Sequence, residues 1–482
     1  MFPNPQVKHP ELGPNLMNTE KVLVTGAEEH QGLAVIRGLG LAGIPVVACG
    51  SKSRSIGFYS RFAGERACYC SPFQNPARFV DDILAAAQRT GAHLVIPSVE
   101  STLVALDAQR ERLEKHCVLA APPSRVLECA IDKWKTLALA RAVGVPVPNT
   151  WLFSSPEEMA QSAEALSYPV AIKPRGNRLH AATLHSLKFK SKYATSAEHL
   201  RRLAAELPGH GGNLLAQQFI NGQGLCVAAV ADRGRLLTAF AYERTREWPL
   251  TGGVSVLRRS VALEDQLRKY VSDLLGSLTW HGVAMVEFKR QANGRYVLME
   301  INGRFQASTA LSLDAGLNLP RLVYQLYTGQ PVLPAMDYPP GVSERWLRGD
   351  WLALLEYLSG RTQCQAVDPA ALASRLRVAV QFTRAFHPGT HYDEFKRWDY
   401  KPGFLEAGEI VGATWFFLRN YVGRAWRNWR AKSKPGVPVR RPQPVPPPLL
   451  SRQPIQPAKL NAATDFRQPP EAEVAPHSFI QG

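Results

Sequence analysis

What the chain has little of sets the first limits. Across 482 residues, no run approaches the roughly 20 consecutive apolar residues of a membrane-spanning helix. Cysteine is sparse: seven thiols, at 49, 68, 70, 117, 129, 226 and 364, are scattered without C-x-x-C spacing. That excludes a disulfide scaffold, speaks against structural zinc and fits a reducing compartment. The opening MFPNPQVKHPELGPNLMNTEKVLVTG carries prolines and charges where a secretory leader needs an apolar core. Residues 1–20 are therefore expected to be a disordered lead, and the protein to be cytoplasmic. Acidic residues are in the minority, 40 against 57 lysines and arginines, for a formal charge of +17. This balance suits phosphate-bearing ligands or anionic surfaces. No nucleic-acid-binding module or aromatic-basic RNA motif accompanies it, so nucleic acid is not expected as a partner. A dinucleotide fingerprint is also missing. Gly26 and Gly32 lack G-x-G-x-x-G spacing, and the second strand ends in Cys49-Gly50-Ser51-Lys52 with no acid for a ribose.

What is there begins with alternation. KVLVTG, a helix over 31–42, IPVVAC, the helix ARFVDDILAAAQRT and the strand AHLVIP follow the β/α order of an open parallel sheet. IDKWKTLALARAVG starts with an acid and ends at a glycine, as a helix does. YPVAIKP and LLAQQFINGQG read as strands, and LCVAAVADRGRLLTAFAYERT as a hairpin around Asp232-Arg233-Gly234. The expected class is α/β: an open parallel-sheet domain over 21–125, then a two-lobed α+β domain over 126–330. A mostly helical extension over 331–433 and a proline-rich disordered tail over 434–482 complete the chain.

The stretch VEFKRQANGRYVLMEINGR puts two acids, Glu287 and Glu300, into otherwise apolar strands on either side of Asn293-Gly294. A two-residue turn at that pair predicts that the glutamates face each other across the hairpin, roughly 5 Å apart. At an effective dielectric near 20, two like charges at that distance repel by about 3 kcal/mol. Something must neutralise them, and a divalent cation is one candidate. The other is a solvated hairpin in which Lys289 and Arg304 provide the opposite charge.

With Lys133 in IDKWKT, Lys173 in YPVAIKP, the strand LLAQQFINGQG and this hairpin in order, the chain resembles the ATP-grasp superfamily over about residues 21–330. It resembles in particular the carboxylate-amine ligases of the carbamoyl-phosphate synthase and biotin carboxylase-like type. The resemblance implies a parallel-sheet domain preceding the ATP-grasp domain, ATP as cosubstrate and Mg2+ as its ion, with Mn2+ as a substitute. It implies that Lys133 and Lys173 contact the nucleotide phosphates. Gln217, Gln218, Phe219 and Ile220 would form the adenine pocket, with Gln217 at the exocyclic amine. Glu287, Glu300 and Asn302 would hold the metal. Arg304, and with it Lys173, would act in catalysis, Arg304 by stabilising an acyl phosphate. Gly224 stands near where many relatives carry an acidic ribose contact. The loop after Lys173 has the single glycine Gly176 where many have a glycine-rich flap, with Arg175 and Arg178 as substitute charge.

Two further segments match a narrower subgroup. Arg246, Gly252 and Gly253 in ERTREWPLTGGVS would receive a carboxylate or phosphoryl group, and Glu100, at the end of a parallel strand, would hold an amine. The implied activity is ADP-forming ligation: a substrate carboxylate is activated as an acyl phosphate and attacked by an amine. The alternative is a non-catalytic nucleotide sensor or membrane-associated scaffold on the same fold. It rests on the irregular flap and on the aromatic-basic segment 410–432, with Trp415, Phe416, Phe417, Trp426 and Trp429, as a peripheral contact at the inner membrane surface. Partners are expected to be small molecules, with a homodimer left open. His387 and His391 could suggest a metal site, but no further cluster supports them.

Overall fold

The computed structural model describes residues 20–176, 191–207, 214–248, 253–358 and 375–432. Met1–Val422 form one compact unit and Gly423–Gly482 a second. The first unit carries three sheets. Five strands form a parallel sheet in the order Ala63–Cys68, Val46–Gly50, Val22–Thr25, Leu94–Pro97, Val118–Leu119. A four-stranded antiparallel sheet runs Thr150–Phe153, Leu214–Gln218, Val170–Pro174, Lys192–Ala194. The largest sheet orders Tyr296–Asn302, Gly282–Arg290, Gln223–Asp232, Arg235–Trp248, Val254–Ser260, Ser343–Arg345 and Thr390–Tyr392. The mixed α/β class expected from the alternation is what the chain adopts.

The strand Gln223–Asp232 shows why the middle of that sheet reads as a continuous apolar run. Cys226, Ala228 and Val230 point into a core shared with the parallel sheet and the helix His30–Leu41. Leu225, Val227, Ala229 and Ala231 point the other way, under the helix Asp265–Ser277. A strand covered on both faces has no polar side to alternate with. The helix His30–Leu41 is itself enclosed, with every residue from Gly32 to Leu39 buried. A Cβ on Gly32 would stand 2.1 Å from the Gly26 carbonyl oxygen, so this glycine serves close helix-to-turn packing.

Within the extension expected to be mostly helical, Ser343–Arg345 and Thr390–Tyr392 extend the large sheet, pairing in parallel with each other. Three-residue strands are too short to display a period. One expectation needs correction: the hairpin turn is not the two-residue kind. Gln291 N donates to Arg295 O, so the loop holds three residues, closed by Gly294 at φ +82°. That slip of one residue is cancelled by a bulge between Leu298 and Glu300, so Glu287 still pairs with Glu300. Without the bulge, Glu300 would move to the opposite face.

The segment 393–399 fastens the C-terminal part of this unit to its beginning. Arg37, 1 % exposed on the first helix, donates through Nε to Asp399 at 2.7 Å and through Nη1 and Nη2 to the carbonyls of Asp393, Glu394 and Asp399. Ser60 Oγ and the Arg61 amide also donate to Asp399, each at 2.8 Å. On the large sheet, fully buried Arg258 bonds Glu344 at 2.9 and 3.0 Å and is also paired with Asp393.

Candidate active site

The polar cleft between the four-stranded and seven-stranded sheets is assembled from one helix, two strands of the smaller sheet and the hairpin. Asp132 caps the helix Lys133–Ala142, accepting from the amides of Trp134 and Lys135, which places Lys133 at the first helical position. Lys133 Nζ lies 4.0 Å from Glu300 Oε2. Lys173 projects from Val170–Pro174 and donates to Gln217 Oε1 at 2.9 Å, while Gln217 Nε2 donates to Thr150 at 3.3 Å. Glu287 and Glu300 stand opposite each other on the hairpin, and Asn302 Nδ2 donates to Glu300 Oε1 at 3.0 Å.

Burial pushes the Lys173 ammonium below its ordinary value, partly opposed by Glu300. For Glu300, burial acts upward, but Lys133, the Asn302 amide, Lys173 and Arg304 outweigh it and hold the carboxyl below the usual range. Glu287 goes the other way, because burial dominates even though Arg244 favours its charged form. Two facing acids are thereby kept in different states of readiness.

Arg244 is the residue that sequence reasoning missed. Its guanidinium reaches Glu287 Oε1 at 2.7 Å and Glu247 at 3.1 Å. A Cβ on Gly224 would lie 2.9 Å from Glu247 Oε1 and 3.1 Å from the Arg244 side chain, so the absent side chain leaves room for this pair. No pattern in the residues marked it: 244 and 246 lie on the same strand, and only a bulge there separates their registers. Arg246, named as a substrate contact, is instead engaged with buried Asp350. The solvated-hairpin alternative named Lys289 and Arg304, and both do favour the charged glutamates, Lys289 acting on Glu287 and Arg304 on Glu300, but the ion pairs to these carboxylates are made by Arg244 and Lys133.

Arg304 is half-buried. Its Nη1 donates to the Phe305 carbonyl at 3.1 Å, while its Nε is buried without a hydrogen-bond partner among the described residues. Gln218 accepts weakly from the Asn149 amide at 3.4 Å, the Phe219 amide donates to Pro169 O, and Ile220 is buried. Arg175 is held by Asp132 at 2.9 Å. Arg178 and Gly252 lie outside the described residues, and Gly253 accepts from Arg244 through its carbonyl. Glu100 begins the helix Glu100–Asp107 and lines a separate cavity of about 500 Å³ at the carboxyl ends of the parallel strands, with Glu28, Glu29, Lys52 and Ser101. His387 bonds the Gly389 amide, and His391 lies 3.7 Å from Asp314, so the two do not form a shared metal site. Among the described residues, no helix is long and apolar enough to cross a membrane. Trp415 and Phe416 are exposed, and the side chains of Trp426 and Trp429 lie outside the described set. Membrane contact for 410–432 is unsupported.

A family model described as "ATP-grasp in the biosynthetic pathway with Ter operon" matches residues 211–348. The chain is 30% identical over 161 residues to a pyruvate carboxylase subunit from Methanothermobacter thermautotrophicus, a match that covers 32% of each chain. It is 26% identical over 313 residues to biotin carboxylase 2, chloroplastic, of Populus trichocarpa, covering 60% of this chain and 56% of that one. The matches thus span about a third and just over half of those proteins' lengths. Among solved structures, the biotin carboxylase domain dimer of Hydrogenobacter thermophilus 2-oxoglutarate carboxylase, in complex with MgADP, ADP and bicarbonate, superposes with a TM-score of 0.54. The two share 18% identity, over 67% of this chain and 73% of that one.

Proposed function

We propose, from the premise that the chain belongs to the ATP-grasp superfamily, that it is an ADP-forming carboxylate-amine ligase using ATP and Mg2+. Its relatives are ATP-grasp ligases, which supports an ATP-dependent enzyme of that general kind. The observation that carries the finer reading is the convergence of Lys133, Lys173, Glu287, Glu300, Asn302 and Arg304 on one cleft. Lys133 and Lys173 would hold the phosphates as compact point charges. Gln217 to Ile220, on the edge of the same cleft, would receive the adenine, with Gln217 exchanging its Lys173 or Thr150 contact for the base.

Glu287, Glu300 and Asn302 offer the oxygen donors that a hard divalent cation takes, and two facing carboxylates fit such an ion. Magnesium bound there would offset charge on the terminal phosphates during transfer. Arg304, whose Nε has no partner among the described residues, is suited to receive the oxygens of an acyl phosphate. In the reaction, the substrate carboxylate oxygen forms a bond to the γ-phosphorus as ADP leaves. The amine nitrogen then attacks the acyl carbon, and phosphate and a proton depart. Glu100, in the cavity with Glu28 and Glu29, is proposed as an amine contact, and Gly253 as part of a loop that receives the acid.

Incubating the full chain with ATP, magnesium and pools of amino acids or peptides, then measuring ADP and phosphate, tests this. Phosphate release should depend on the pool, and Glu300→Gln should lower it by about 100-fold or more while ADP still binds. Unchanged turnover in that variant would overturn the assignment. Nucleotide binding with no release in any pool would favour the non-catalytic sensor.

A further inference from the structure

Three residues that play no part in the cleft meet at the other end of the first helix. His30 opens that helix, Glu394 follows the edge strand Thr390–Tyr392, and Glu406 lies in the second turn of the helix Lys401–Lys432. One donor atom from each lies within 4.8 Å of the others, forming a cluster of metal-binding side chains among the described residues. Both carboxylates are buried, Glu394 at 0 % and Glu406 at 1 % exposure, and the His30 side chain is 11 % exposed.

The cluster is incompletely satisfied. His30 Nδ1 pairs with Glu394 Oε1 at 2.7 Å, while Glu394 Oε2, on a side chain at 0 % exposure, has no hydrogen-bond partner among the described residues. A buried carboxylate oxygen left without a hydrogen bond is costly, and such a group calls for an explanation such as an ion. Glu406 differs in a way that fits the same explanation. Its Oε1 accepts from Trp346 Nε1 at 3.0 Å and Arg348 Nε at 3.1 Å, outer contacts that fix the direction of its carboxylate. The His30 ring also packs on Trp346 with centroids 4.8 Å apart, which fixes the imidazole plane.

We propose that His30, Glu394 and Glu406 form a binding site for one first-row divalent transition ion, with zinc as the reference. One imidazole nitrogen and two carboxylates form a donor set such ions accept, unlike the all-oxygen set of the cleft. None of the cysteines among the described residues takes part, which is why cysteine spacing gave no sign of it. The ion would join the first helix, the loop after the edge strand and the C-terminal helix at a single point. The side open at His30 leaves a position for water or another ligand. The inference does not depend on the ligase reading.

The test uses the full chain, freed of metal by chelator and dialysed against zinc alone without nucleotide. Wild type should retain one zinc that Glu394→Gln loses, with affinity falling by at least about tenfold. Glu300→Gln should retain it, which separates this site from the cleft. Cobalt substitution should give visible d–d absorption that Glu394→Gln removes. If Glu394→Gln fails to fold, anomalous scattering from zinc-soaked wild-type crystals decides: a peak between His30, Glu394 and Glu406 supports the site. The absence of that peak, or equal zinc retention by wild type and a folded Glu394→Gln, overturns the proposal and leaves an imidazole-carboxylate ion pair only.

Discussion

The hairpin cleft and the clasp around Arg37 and Arg258 both gather acids and bases away from bulk water, but they hold them differently. In the clasp the partners are 0 to 1 % exposed, and each guanidinium is bracketed by carboxylates and carbonyls. In the cleft, Lys133 and Glu300 are 21 % and 33 % exposed and 4.0 Å apart, and Arg304 Nε has no hydrogen-bond partner among the described residues. Charge that fastens elements together is enclosed by its own partners. Charge in the proposed nucleotide site keeps open directions, and its carboxyls are shifted unevenly, Glu300 down and Glu287 up.

The sharpest way to break this comparison is Arg258→Ala. It strands buried Glu344 and Asp393 beside each other and should cost about 3–5 kcal/mol in denaturant melts. If stability barely moves, the clasp holds nothing together. Adding Asp393→Asn should recover part of the loss, and Glu300→Gln in the cleft should leave the melt close to wild type.

A smaller effect sharpens the cleft side. Burial lowers the Lys173 pKa below its unfolded value, so between the two values the unfolded chain binds a proton that the folded one lacks, and stability rises with pH there. Nucleotide affinity, if the Lys173 ammonium holds the phosphates as proposed, should instead fall as pH rises through the lowered value. Calorimetric ADP titrations across alkaline pH check this, and Lys173→Arg should flatten the dependence. A profile identical for both side chains would remove Lys173 from the phosphate site.

The smallest expected effect concerns how the cleft is built. Gly294 sits at φ +82°, and nothing lies within 4 Å of where a Cβ would stand, so Gly294→Ala should cost only the left-handed penalty, about 1–2 kcal/mol. Phosphate release should persist if the bulge, and not the loop, fixes Glu287 against Glu300.

The hairpin also marks how much of this molecule could be read from its residues. The facing glutamates were legible because pairing on a strand follows a period of two, and a bulge happened to cancel an error of one in the loop. Lys173 and the parallel sheet were legible because each announces itself over a few residues. Arg244 was not, since its importance depends on a bulge that sets it apart from Arg246. Nor were Arg37 with Asp399 or the His30 cluster, whose members belong to elements that are neighbours only after folding.

The bond from Arg37 to Asp399 spans 362 positions of sequence. At a ribosome moving roughly 5–20 residues per second, the first helix is made some 20–70 s before its carboxylate emerges. Through that interval its guanidinium must remain hydrated, so the opening helix cannot settle into its final bed while the nascent chain is still short.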